Sequence, residues 1–117
     1  MISVIIWTQG SGFIKGFTAI GHAGYADMGS DIVCAGVSAL LQATLTGLTD
    51  VANAEPDISI KKGSMTLKLP PLLPSGSMRD AQTILKTCLN SVEAIARQYP
   101  DNVKIKRVTK NAAAPGT

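Results

Sequence analysis

Hydrophobic and polar residues follow two different periods along this chain. In three short segments, 57–61, 65–69 and 103–108, they alternate, which is the pattern of a β-strand with one buried face. Segment 2–8 predicts a strand because it is rich in Ile, Val and Trp, and segment 13–20 predicts a second strand after turn residues. In chain order, turn residues separate the first segment from the second and the third from the fourth, so each of these pairs predicts a β-hairpin. The five predicted strands are 2–8, 13–20, 57–61, 65–69 and 103–108.

Two longer segments predict α-helices, because their apolar residues recur every three or four positions. The first helix is expected to begin near Ser30 or Asp31, since either side chain can accept hydrogen bonds from free backbone N–H groups as an N-cap. It is expected to run to about Asn53. The second helix is expected to begin with Ser77 as its N-cap and to end before Pro100.

The order of these elements is β-β-α-β-β-α-β, which predicts a small α+β fold with two main helices packed on a mainly antiparallel sheet of about five strands. The length of 117 residues suits one domain, which we place at residues 1–110. Residues 111–117 are expected to form a disordered tail.

Charge adds a weak indication of a partner. The net charge is +3, and much of the positive charge lies late in the chain. Solvated strand faces explain this pattern most simply, whereas attraction to an anion such as ribosomal RNA is the functional alternative. Aromatic residues make up 4% of the chain, so the sequence shows no obvious site for base stacking. The late basic residues are Lys104, Lys106, Arg107 and Lys110.

The N-terminal sequence lacks the basic region and cleavage site of a signal peptide, and no apolar run is expected to reach the roughly 20 residues of a membrane span. We therefore expect a cytoplasmic protein without a membrane contact, in which Cys34 and Cys88 are reduced thiols. The single histidine argues against a metal site built from several His and Cys ligands. We expect no metal and no cofactor.

His22 and Cys34 are the candidate catalytic pair. His22 follows the second predicted strand, and Cys34 falls in the first turn of the first predicted helix, where partial positive charge favours a thiolate. An imidazole can also protonate a leaving amine. Spacing alone leaves ordinary structural roles open for both residues, and Cys88 fits the apolar stripe of the second helix as a core residue.

The stretch from Gly21-His22-Ala23 to Gly29-Ser30-Asp31-Ile32-Val33-Cys34-Ala35, continuing to Val37-Ser38, resembles the ribosomal-processing cysteine protease family, called Prp. Gly36 departs from the alanine expected there. The resemblance implies that residues 1–110 form a cysteine protease domain with His22 and Cys34 as its catalytic pair. It also implies a homodimeric bacterial enzyme that removes a short N-terminal extension from a large-subunit ribosomal protein precursor.

Asp31 and Ser38 also match the family pattern, and structural and functional roles are equally open for both. Asp31 is expected to cap the helix or to hold His22, whereas Ser38 lies four residues after Cys34 on the same helix face. Unpaired backbone N–H groups at the start of the helix, or in the Gly21–Gly24 loop, are candidate oxyanion donors. We further expect the segment from Gly24 to Gly29 to gate access of the substrate.

Two alternatives stay open at this point. The chain could be a non-catalytic module that binds the ribosome or RNA through its basic terminal strand, indifferent to Cys34. It could also be a thiol hydrolase or transferase that acts on another substrate.

Overall fold

The computed structural model describes residues 1–10, 12–21 and 28–110, without the side chains of 28–31 and 110. The strands and helices follow the predicted order, and a π-helical turn, Gly47–Val51, extends the first helix. The predicted tail at 111–117 lies outside the described residues. The elements are β1 (Ile2–Gln9), β2 (Phe13–Ile20), α1 (Met28–Thr46), β3 (Asp57–Lys61), β4 (Ser64–Lys68), α2 (Ser75–Gln98) and β5 (Val103–Lys110).

The five strands form one sheet in the order β3-β4-β2-β1-β5. The two hairpins pair antiparallel, and β2 also pairs antiparallel with β4. β5 instead runs parallel to β1, because α2 carries the chain back along the sheet before β5 begins. The predicted α+β class and mainly antiparallel sheet are therefore confirmed, with one parallel pair at an edge.

The core lies between one face of the sheet and the two helices. In β1 every second residue is buried, so its other side chains lie on the opposite face. Both helices turn an apolar stripe toward the sheet and toward each other, and together they form one hydrophobic core. The fully buried residues of this core include Val4 and Ile6 of β1, Val37 of α1, and Leu85 and Leu89 of α2.

Both helices begin earlier than the sequence suggests. α1 begins at Met28, so Ser30 and Asp31 lie inside the helix and neither is its N-cap. α2 begins at Ser75 with Pro74 as its N-cap, so the prediction for Ser77 is also wrong. Pro74 has an extended backbone, with a ψ of 146°, and makes no capping hydrogen bond with its side chain.

The segment Ile32–Val51 corrects the expectation that no apolar run reaches the length of a membrane span. It spans 20 residues with a mean hydropathy of 1.6, which is long and apolar enough to cross a membrane by length and composition. Alanine, glycine, serine and threonine interrupt its aliphatic residues, yet Asp50 is its only charge. Within the fold 33% of the segment is buried, and the core helix of a globular domain can pass the same test.

Candidate active site

Cys34 lies on the buried face of α1. It is a free thiol with 2% of its surface exposed. Because α1 begins at Met28, Cys34 is the seventh residue of the helix and lies in its second turn rather than in the first. The effect of a helix dipole falls off within the first turn. The helix end therefore contributes less to a thiolate at Cys34 than the sequence suggested, and more depends on a partner base.

A cavity of about 260 Å³ opens beside the helix face that carries Cys34. Ser38, one turn after Cys34, lines this cavity together with Leu41 and Gln42 of the next turn. The opposite wall consists of residues from the ends of β1 to β4. These wall residues are Ile2, Ala19, Ile20, Ile60, Lys61, Ser64 and Met65.

Sequence reasoning found Ser38 but missed the rest of the cavity. On α1 the sequence did indicate the other lining residues, because Leu41 and Gln42 lie three and four residues after Ser38 and therefore share the helix face of Cys34 and Ser38. The wall from the second hairpin had no comparable signal. Ile60 and Met65 read only as alternating strand residues, and the pairing of β4 with β2 brings them beside α1.

Gly21 is fixed in place at the end of β2. Its φ of +78° belongs to the left-handed region, and a Cβ atom there would lie 2.8 Å from the carbonyl oxygen of Met1. Its N–H donates a hydrogen bond of 2.8 Å to the carbonyl oxygen of Gly63 in the β3–β4 turn. The backbone that leads to His22 is thus anchored to the second hairpin. Because this N–H is paired, the prediction of Gly21 as an oxyanion donor is wrong.

Four other predicted site residues have partial descriptions or none. His22 and Gly24 lie outside the described residues, so their roles remain predictions. Gly29 belongs to α1, and the predicted gating segment is therefore shorter at its C-terminal end. The backbone of Asp31 belongs to the first turn of α1, where an acidic residue is favourable.

Cys88 is the second thiol, and its surroundings differ from those of a nucleophile. It is buried on α2, and its Sγ donates a hydrogen bond of 3.3 Å to the carbonyl oxygen of Leu40. Burial raises the pKa of the Cys88 thiol, and a hydrogen bond with Thr44 opposes this shift. The prediction that Cys88 is a core residue is confirmed. Within the residues described, no group of three or more His, Cys, Asp or Glu is placed to hold a metal ion.

The sequence matches a family of known proteins over most of its length. The model of the family described as "Cysteine protease Prp" matches residues 1–104. The chain is 33% identical over 94 residues to the ribosomal processing cysteine protease Prp of Bacillus subtilis. The aligned residues make up 79% of this chain and 84% of that protein. It is 30% identical over 105 residues to the protein of the same name from Staphylococcus aureus, covering 90% and 97% respectively.

Solved structures match the fold as well. A ribosomal processing protease Prp from S. aureus, in complex with a substrate peptide, superposes with a TM-score of 0.80 at 28% identity, over 92% of this chain and all of that one. A second structure of the S. aureus protease contains a covalently linked product peptide and gives a TM-score of 0.79 at 29% identity, over 92% of this chain and 100% of that one. A Streptococcus mutans protein gives 0.84 at 25% identity, over 94% of this chain and 99% of that one.

Proposed function

Because this chain belongs to the cysteine protease Prp family, we propose that it is the endopeptidase that removes the N-terminal extension of a large-subunit ribosomal protein. The observation that carries the proposal is the position of Cys34, a free thiol on the α1 face that continues into a cavity. The relatives named for this activity, one of them solved with a substrate peptide, support the choice of substrate.

Cys34 and His22 share the chemistry in this proposal. The Cys34 thiolate attacks the scissile carbonyl carbon, and His22 donates a proton to the leaving amine as the C–N bond breaks. Water, deprotonated by His22, then attacks the thioester and releases the acid product and the thiol. The weak influence of the helix end on the second turn of α1 makes His22 the main source of thiolate stabilisation.

The cavity supplies a binding site for one substrate side chain. Ser38 lies about 6 Å and Leu41 about 10 Å beyond Cys34 along the helix axis, at a rise of 1.5 Å per residue. An extended peptide advances about 3.3 Å per residue. A peptide cleaved at Cys34 therefore places a side chain two or three residues from the cut in the cavity, where the apolar walls favour an apolar residue.

The proposal is tested with a ribosomal protein that bears its N-terminal extension, analysed by mass spectrometry after incubation with the purified enzyme. A single cut is expected from the native protein and none from Cys34→Ala or His22→Ala. Cys88→Ala is the matched control, since it removes the other buried thiol and should leave the cut in place. Cleavage by folded Cys34→Ala, or no cleavage by native enzyme with reduced thiols, would contradict the proposal.

We also propose that the enzyme acts as a homodimer in the cytoplasm. The two free thiols fit a reducing compartment. The exposed face of α1 is consistent with a contact between copies, because its exposed residues from Ile32 to Thr46 are uncharged and Ile32 is 74% exposed.

The mass measured by light scattering tests the homodimer and should be twice the chain mass. Ala39→Glu on this face should lower the measured mass, whereas Asn90→Glu on the exposed side of α2 should leave it unchanged. A monomer at micromolar concentration would contradict the homodimer.

A further inference from the structure

Within residues 1–10, 12–21 and 28–110, one face of the sheet carries no helix, and we call it the open face. Its central row is Ser3, Ile5 and Trp7 of β1, the residues between the buried positions of that strand. Strand pairing adds the neighbours of each. In the order β5, β2, β4 and β3, the neighbours in register with Ser3 are Lys104, Ile20, Ser64 and Lys61. In the same order, those of Ile5 are Lys106, Thr18, Thr66 and Ser59. Those of Trp7 are Val108, Gly16, Lys68 and Asp57.

Positive charge lies along both sides of the open face. Lys104 and Lys106 project from the edge strand β5, and Lys68 and Lys61 lie on the opposite side, all of them exposed. Asp57 is the one acidic residue among these register positions. At about 4.8 Å per strand spacing, Lys68 on β4 lies three spacings, about 14 Å, from β5, and Lys61 on β3 lies four spacings, about 19 Å, from it.

The structure divides the basic cluster that the sequence suggested. Arg107 alternates with Lys106 and therefore lies on the helix-covered face, where its guanidinium donates a hydrogen bond of 2.6 Å to Glu93 of α2. Lys104 and Lys106 remain exposed on the open face. The positive charge of the open face thus comes from lysines of β5 and lysines of the second hairpin, which are distant in sequence.

The centre of the open face combines an aromatic ring with hydroxyl groups. Trp7 is half-buried, and the Nζ of Lys68 lies 5.5 Å from the centre of its ring. The register neighbour between them is Gly16, which has no side chain to separate the ring from the lysine. Beside them the hydroxyl oxygens of Thr18 and Thr66 lie 3.1 Å apart and form a hydrogen bond.

We propose that the open face binds single-stranded RNA. The flanking lysines take phosphates, Trp7 stacks on a base, and the Thr18–Thr66 pair lies where a 2′-hydroxyl can bond. A second copy of this chain is disfavoured, since lysines on both sides would repel their own image. Cys34 lies on the other side of the sheet, whereas Ile20, Lys61 and Ser64 border both the cavity and the open face. The proposal does not depend on the protease assignment.

Trp7 gives this proposal a site-specific readout, because it is the only tryptophan in the chain. A 12-nucleotide single-stranded RNA should quench its fluorescence on titration. Each phosphate contact on a single strand adds about −0.7 to the slope of log K against log salt, so four lysine contacts predict a slope near −3. Absence of quenching at low salt, or equal quenching by poly-glutamate, would overturn the proposal.

Charge variants separate a defined surface from general attraction. Lys104→Gln with Lys106→Gln should weaken the binding of labelled RNA roughly 10- to 30-fold at 0.1 M salt, since two phosphate contacts are lost. The control pair, Lys86→Gln with Arg97→Gln on the exposed side of α2, changes the net charge equally and should leave affinity within about twofold. Equal weakening by both pairs, or tighter binding of DNA of the same sequence, would contradict an RNA site on the open face.

Discussion

Cys34 and Cys88 are both buried, and neither thiol lines the cavity, yet their surroundings differ. Cys34 shares its helix face with Ser38 at the cavity wall, whereas Cys88 faces the carbonyl oxygen of Leu40 between the helices. Burial raises the pKa of Cys88 and keeps its thiol neutral. A reagent that requires a thiolate should therefore modify Cys34 first, provided that His22 activates it.

The raised pKa of Cys88 predicts how stability depends on pH. Below the usual range of a thiol, near 8.5, both the folded and the unfolded chain hold this proton. As the pH rises above it, the unfolded chain loses the proton first, so stability falls. The free energy of unfolding, measured in urea between about pH 7 and pH 10, should drop further in the native protein than in Cys88→Ala. Parallel curves would contradict this prediction.

Gly21→Ala tests the anchor before His22. The positive φ and the contact with Met1 predict a loss of about 1–2 kcal/mol in the free energy of unfolding. Because the change displaces the backbone that leads to His22, cleavage should fall as well. Gly76→Ala is the matched control, since a Cβ atom there meets nothing within 4 Å and its φ is not positive. Equal stability of both variants in urea would contradict the role of Gly21.

At the scale of elements, α1 combines a buried face that carries Cys34 with an exposed side of mostly small residues. Val33, Val37 and Leu41 are buried in the core, while Ala35 and Gly36 are exposed. Periodicity predicted this stripe correctly. The start of the helix was less predictable, because a serine and an aspartate near position 30 suit an N-cap in isolation but also fit inside a first turn.

Two glycines in the α1 region are expected to respond differently to alanine. Gly36→Ala should raise the free energy of unfolding by up to about 1 kcal/mol, since the site is open and alanine favours a helix. At Gly47 a Cβ atom would lie 3.1 Å from Cγ2 of Ile84 in α2, so the gain should be absent or reversed. Thermal unfolding measures both changes, and equal effects would indicate that the packing of α1 on α2 does not limit Gly47.

At the scale of the whole molecule, one core joins both helices to the sheet. Leu89 on α2 is fully buried in it, so Leu89→Ala should lower the free energy of unfolding by about 2–5 kcal/mol. Leu72→Ala is the control, because Leu72 is 88% exposed and should change stability by less than about 0.5 kcal/mol. A single unfolding transition is expected for both variants by circular dichroism, and two separate transitions would contradict one shared core.

The sequence by itself determined the element order and the α+β class. Local patterns suffice for these, because alternation and helical spacing depend on neighbours in the chain. Only the tertiary structure decided the parallel pairing of β5 with β1, the cavity beside Ser38 and the division of the basic residues between two faces. Each of these depends on contacts between distant segments, and sheet register is set by those contacts rather than by local sequence.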